Sequence, residues 1–255
     1  MDNRTTFEFI LFAGLIASIK IGQRETTASK LLKAGFSSCA YNQAAYLNHL
    51  YQNRIITIEG RYQSDKDDDY IDLNDDYRIT SYYPNDDLSL KELISKIQST
   101  DIDEKQHAIL EIIREELVGE VFYFLAEKIT SLDIGMDLLT EPPSIITELL
   151  KDFSVLEVCG CIESSVNKFD QNKLRILKCT SDDDGIVNTI CNAIDRQDRY
   201  HFAARPTKTS NLMYLLTEHL TEIGPDYWKN ERLWRKLELQ DIESKLESLS
   251  FSACE

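Results

Sequence analysis

Thr27-Ala28-Ser29-Lys30-Leu31-Leu32-Lys33-Ala34-Gly35-Phe36-Ser37-Ser38, running on through Cys39 to Gln52 and into Ile55-Ile56-Thr57-Ile58, sets a short helix, a turn, a longer helix and a strand in succession. Thr26 or Thr27 can cap a short helix that carries Leu31 and Leu32, and Gly35 stands where such a helix closes on a left-handed residue. Ser37 or Ser38 then caps a second helix to about Gln52, with Ala40, Ala44, Ala45, Leu47 and Leu50 at helical spacing. The β-branched run Ile55 to Ile58 restricts its own χ1 angles and favours a strand.

Upstream, Phe7 to Ile21 is apolar too densely for a single stripe: Phe9, Ile10, Phe12, Ala13, Ile16, Ala17 and Ile19 predict a helix enclosed on several sides. Glu8 and Lys20 interrupt it, and it is shorter than the roughly 20 apolar residues a bilayer span needs. Asp2 offsets Arg4, and Arg24-Glu25-Thr26-Thr27 offers no small-residue cleavage site, so neither secretion nor membrane insertion is expected and the location is read as cytoplasmic. Downstream, a polar stretch from Gln63 to Asp69 separates the first strand from Tyr70-Ile71-Asp72-Leu73, and Tyr77 to Tyr83 adds another, together a β-hairpin.

Helix, helix, turn, helix, strand, hairpin is an order that resembles the winged helix-turn-helix family over residues 7–83, carried by Thr27 to Ala34, Gly35-Phe36-Ser37-Ser38, Cys39 to Gln52 and the strand after Arg54. The resemblance implies that the second helix of the motif reads a partner and that the hairpin is a wing. For a nucleic acid, the side chains that could reach bases or phosphates are Lys30, Lys33, Asn42, Gln43, Asn48 and Arg54, joined by Arg196, Arg199 and Arg205 of a later cationic and aromatic cluster. The more ordinary reading of that later cluster is a structural ion-pair network.

Beyond Pro84 the spacing predicts a helix at Leu88 to Ile97 and a long one from about Glu104 to Ile129. Ile109, Ile112, Ile113, Leu117, Val121, Phe124 and Leu125 line one side of the long helix, with Glu111, Arg114, Glu115 and Glu120 on the other. Pro142-Pro143 marks a boundary, because proline tolerates only a helix start. Helices at Ile145 to Phe153 and Val155 to Val166 and a strand at Leu174 to Leu177 then echo the opening order, as a second winged-helix-like unit would. Further helices are expected at Gly185 to Ile194, Asn211 to Ile223 and Tyr227 to Leu249. The expected architecture is mainly α with small β-hairpins: a winged-helix-like domain over 1–84, a helical connector over 85–141 and a helical domain over 142–255.

The formal charge of −16 turns the surface as a whole against phosphate backbones and anionic membranes. The hairpin tip itself reads Ser64-Asp65-Lys66-Asp67-Asp68-Asp69, placing carboxylates where a wing normally meets a duplex. Charge and architecture together predict a noncatalytic accessory subunit that docks on a larger, more basic or DNA-bound protein; Asp67, Asp68, Asp69, Trp228 and Trp234 are its candidate partner contacts, and a homodimer is compatible. In architecture and charge this is similar to the accessory subunits of condensin-like ATPases, which suggests a DNA-handling or antiphage defence complex. The competing readings are a sequence-specific DNA-binding regulator and an enzyme with an unrecognised site.

Against the enzyme stand several absences of pattern. Cys159-Gly160-Cys161 with Cys179 and Cys191 lacks the Cys-x-x-Cys pairing of a zinc knuckle, so buried thiols are expected and no metal or cofactor. His49, His107, His201 and His219 show no ligand spacing, and Ser181-Asp182-Asp183-Asp184-Gly185 lacks the alternation of a calcium loop. Pro225-Asp226 with Glu243-Ser244-Lys245 matches a restriction-type nuclease only formally, since Leu237 to Leu249 has helical spacing where that chemistry needs a strand.

Overall fold

A computed structural model describes residues 5–19, 25–59, 78–81, 89–131, 141–176 and 209–221, together with Gly224 and Lys229. Among them the chain is mainly helical with one three-stranded antiparallel sheet. It divides into two compact units, one of residues 1–116 and 209–225 and the other of 117–208 and 226–255. The expected segmentation was consecutive; the observed first unit is instead assembled from two stretches far apart in sequence.

In the first unit α1 (Thr6–Ser18) begins with a reciprocal cap in which Thr5 and Glu8 satisfy each other's backbone amides. Ile10, Leu11, Phe12, Ala13 and Leu15 are all buried, as the apolar density requires. Strand β1 (Glu25–Thr27) leads directly into α2 (Ala28–Ala34), with Thr27 as its cap, accepting from the Lys30 amide. Gly35 closes α2 at φ 80°, a left-handed backbone that a Cβ would strain.

Helix α3 (Ala40–Gln52) is capped by Cys39, whose Sγ accepts from the Asn42 amide at 3.4 Å. The expected serine cap is thereby corrected: Ser37 and Ser38 send their groups elsewhere, to the carboxylate described below. Strands β2 (Ile56–Ile58) and β3 (Arg78–Ser81) complete a sheet of order β1–β3–β2, with Thr26 and Ile58 both opposite Ile79. Thr26, Ile56, Ile58 and Ile79 are buried. On the exposed side, Arg78 pairs with Glu25 and lies 3.6 Å from Glu59, tying the third strand to both edges.

Helix α4 (Leu90–Gln98) has its own reciprocal cap, Ser89 with Glu92, buries Leu93 and Ile97, and packs on α1. Helix α5 (Ile102–Thr130) follows, and the division between the units falls inside it, after Glu116. From the far end of the chain α8 (Asn211–Tyr214), continuing as a π-helical turn over Leu215–Leu220, returns to α1. Its amides at Asn211 and Leu212 donate to the carbonyls of Gly35 and Phe36, at 2.6 and 3.2 Å. Leu212 lies so close to Gly14 that a Cβ there would stand 2.6 Å from the leucine Cδ1.

The second unit contains the remainder of α5, α6 (Ser144–Asp152) and α7 (Val155–Ile176). Pro143 occupies the position preceding α6, where a missing amide costs no helical hydrogen bond. Ser154 and Glu157 cap α7 reciprocally, and Ile146, Leu149, Leu150, Val158, Cys159 and Ile162 are buried with Val121 and Leu125. The strand expected from Leu174 is not formed: α7 runs unbroken through Ile176, as befits a run of Asn172-Lys173-Leu174-Arg175 whose lysine, leucine and arginine are good helix formers. The echo of the opening order therefore lacks its strand. The helices expected at Gly185 to Ile194 and Tyr227 to Leu249 lie outside the described residues, apart from Lys229. Among the described residues no helix is long and apolar enough to cross a membrane.

Candidate functional site

The helix expected to read a partner shows a narrow outward stripe. Tyr41, Ala45 and Gln52 are exposed and, at intervals of four and seven, lie on one side of α3. Of the amides that could meet base edges, Asn42 and Gln43 turn toward neighbouring elements, while Asn48 lies on the side of the stripe and is nevertheless buried. Asn42, Gln43 and Asn48 are only 6%, 5% and 7% exposed. Asn42 Nδ2 donates to the Glu115 carbonyl at 2.7 Å and Gln43 Nε2 to the Ala28 carbonyl at 2.8 Å, so both hold α3 against its neighbours. Lys30, Lys33 and Arg54 are exposed; Arg54 also has a positive φ of 59°, uncommon for a residue with a side chain. Arg196, Arg199, Arg205, Asp67, Asp68, Asp69, Trp228 and Trp234 lie outside the described residues.

Behind α3 sits the best-built polar cluster of the first unit. Glu116 is 1% exposed, and its carboxylate accepts from Ser37 Oγ at 2.5 Å, Ser210 Oγ at 2.5 Å and the Ser38 amide at 2.9 Å. Three stretches of chain thus converge on one carboxylate: the α2–α3 loop, α5 and the start of α8. Burial pushes Glu116 above the usual carboxylate range even though all these donors oppose the shift. The Cys39 thiol beside it is pushed up to about 12, mainly by burial, with Glu116 adding to the effect, so it is an inert cap and no nucleophile at neutral pH. The buried Tyr46 phenol is raised for the same two reasons in the same order.

Glu115 lies on the exposed side of α5, yet loss of surrounding water raises its carboxyl to about 7; a hydrogen bond from Tyr46 opposes the rise, and Glu111 and Glu116 add to it. A carboxyl titrating higher in the native than in the unfolded chain stabilises the fold below its unfolded value and loses that contribution as pH rises through 7. Glu115→Gln removes the titration while keeping the size of the side chain. Its melting temperature should exceed that of the parent at pH 8 and match it at pH 4; an offset equal at both values would contradict this assignment.

The second unit has a counterpart in Glu120, which pairs with Lys229 at 3.0 Å with side chains 0% and 4% exposed. Cys159, buried nearby, is held well above the ordinary thiol range by burial first and by Glu120 second. Cys39, Cys159 and Cys161 are buried and form no disulfide, and among the described residues no group of three or more His, Cys, Asp or Glu side chains is placed to hold a metal.

Glu120 corrects the sequence reading, which put it on the polar side of the long helix. Both Glu116 and Glu120 fall on the face of Ile109 and Ile113, since the steps 109, 113, 116 and 120 are four, three and four. A carboxylate inside an apolar stripe was the signal that could have found them. No family model, curated protein or solved structure matches the chain.

Proposed function

We propose that residues 6–81 form a winged-helix domain of the protein-binding kind and that the chain is a noncatalytic accessory subunit docking on a larger, more basic protein of a DNA-handling complex. Support for the domain comes from the order α1, β1, α2, α3, β2, β3 together with the sheet order β1–β3–β2. A domain type alone does not carry a function. The observation that carries this one is the outward stripe of α3. A tyrosine, an alanine and a glutamine face solvent where a reader of bases would present arginine, lysine or asparagine; the Asn42 and Gln43 amides bond inside the unit and Asn48 is buried. A net charge of −16 points the same way, because it favours a basic partner over a polyanion.

The reading is tested by fluorescence anisotropy of labelled duplex DNA titrated with the full chain in low and moderate salt. An accessory subunit of this kind binds free duplex no better than the roughly 10⁻⁴ M typical of nonspecific contact. Nanomolar binding that falls steeply with salt would sink the proposal in favour of a DNA-binding regulator. The positive arm is co-elution, on size exclusion, with the purified products of neighbouring genes.

A further inference from the structure

Residues 209–221 are held in the first unit by a set of contacts that reads their sequence. Ser210 Oγ donates to Glu116 at 2.5 Å while accepting from the Met213 amide at 3.0 Å, so one hydroxyl both starts α8 and anchors it. Asn211 donates from its backbone to the Gly35 carbonyl at 2.6 Å, and from Nδ2 to the Ala34 carbonyl at 2.9 Å and to Ser18 Oγ at 3.2 Å. The Leu212 amide donates to the Phe36 carbonyl at 3.2 Å, and its side chain rests on Gly14 where any Cβ would collide with it. Farther along, Gln98 of α4 donates to the His219 carbonyl at 3.4 Å. All these partners outside α8 lie within residues 1–116, so the seat and its occupant come from distant parts of the chain. A segment this short has no stable helix of its own in water, and Leu215–Leu220 adopts the rare π form, so its shape depends on being seated. On both flanks, residues 117–208 and 226–255 belong to the second unit. Residues 209–221 therefore behave as a peptide ligand that the chain itself carries.

We propose that the seat also takes residues 209–221 from a second copy of the chain, two copies exchanging the segment reciprocally. The groups that recognise Ser210, Asn211 and Leu212 are the same whichever chain supplies them. Exchange therefore retains every one of these hydrogen bonds and the Leu212–Gly14 contact, the condition under which swapping is a low-cost route to a dimer. Reciprocity closes the assembly on a two-fold axis with no seat left empty. The chain's own segment is favoured by the high effective concentration of a tethered ligand, so the exchanged form gains when folding starts from open chains at high protein concentration. None of the contacting residues belongs to the outward stripe of α3, so the exchange does not rest on the accessory-subunit reading, and its failure leaves that reading standing.

The test uses full-length variants. Leu212→Asp spoils the segment and keeps the seat, whereas Gly14→Leu fills the seat and keeps the segment. Refolded separately, each is expected to run as a monomer on size exclusion with light scattering and to melt below the parent. Refolded together, they should yield a heterodimer, absent when the Gly14→Leu chain also carries Leu212→Asp. A synthetic peptide of residues 209–221 should raise the melting temperature of the Leu212→Asp chain by about 5 °C at roughly 100 times its Kd, and the same peptide with Leu212→Asp should not. Absence of the heterodimer or of the peptide effect overturns the proposal. A dimer that forms equally when both copies carry Leu212→Asp overturns it too, since another surface then joins the copies. Should either variant fail to refold, the parent chain decides: molecules labelled separately with donor and acceptor dyes, mixed, unfolded and refolded at high concentration, are expected to show energy transfer that survives dilution and is missing after dilute refolding. No energy transfer under those conditions overturns the exchange.

Discussion

Glu116→Ala is expected to lower the stability of the first unit by roughly 2 to 4 kcal/mol, since each buried polar group left without its acceptor costs about 1 to 3 kcal/mol and part of the sum is returned with the carboxylate's own desolvation. The alanine leaves the Ser37 hydroxyl, the Ser210 hydroxyl and the Ser38 amide without the acceptor they share. Hydrogen bonds to a charged group contribute about 1.5 to 3 kcal/mol each, but releasing the carboxylate from a dry site returns part of that sum. Ser37→Ala and Ser210→Ala should each cost about 1 to 2 kcal/mol in the parent and far less in the Glu116→Ala background, because the three groups act as one network. Since Glu116 titrates above the ordinary carboxylate range, its contribution is greatest in mildly acid solution and falls as pH rises through the raised value. Chemical denaturation and hydrogen exchange at the Ser38, Asn211 and Leu212 amides provide the readout. A cost below about 1 kcal/mol with exchange unchanged would mean that the carboxylate is not what joins these three stretches.

The second large effect concerns Lys229→Met, expected to cost roughly 3 to 5 kcal/mol in the second unit by leaving Glu120 charged and dry. The double variant Glu120→Leu/Lys229→Met should recover most of that loss and could surpass the parent by about 1 to 4 kcal/mol, because two desolvation penalties vanish with the pair. The single variant alone should become less damaging as pH falls, since an uncompensated buried carboxylate escapes its penalty by taking up a proton. Tryptophan fluorescence follows the transition conveniently, with Trp228 adjacent to Lys229 in sequence. If the double variant is no more stable than Lys229→Met, simple pairing between these two residues does not describe the site.

Local signals in the sequence proved readable wherever the cause was local. Thr27 and Gly35 bracket α2, the apolar density of Phe9 to Leu15 matches the burial of α1, and Pro143 stands at the start of α6. The misses have non-local causes. Strand β1 is three residues long and is defined by pairing with Arg78 to Thr80, so Thr26 and Thr27 looked only like caps. The Ser37 and Ser38 groups were assigned to the next helix because their acceptor, Glu116, lies 79 and 78 positions away. Glutamate is normally solvated, which favours a polar face for Glu120; its position among isoleucines carried the contrary information, and pairing with Lys229 offsets the cost of such burial. The inward turn of Asn42 and Gln43 was equally invisible, since an amide tolerates either side of a helix and the carbonyls of Glu115 and Ala28 decide which.

The return of α8 to α1 sets the order of events during synthesis. Phe36 leaves the ribosome early, whereas Leu212, whose amide docks on its carbonyl, is added on the order of ten to thirty-five seconds later at typical elongation rates of roughly 5 to 20 residues per second. Throughout that interval the nascent amino-terminal helices lack Leu212, Met213, Leu215 and Leu216 as covering groups, and Glu116 lacks one of its serines. Apolar side chains of α1 then wait for their cover until residues 209–221 have been added, so a chain stopped short of residue 209 leaves part of the amino-terminal core without the residues that close it.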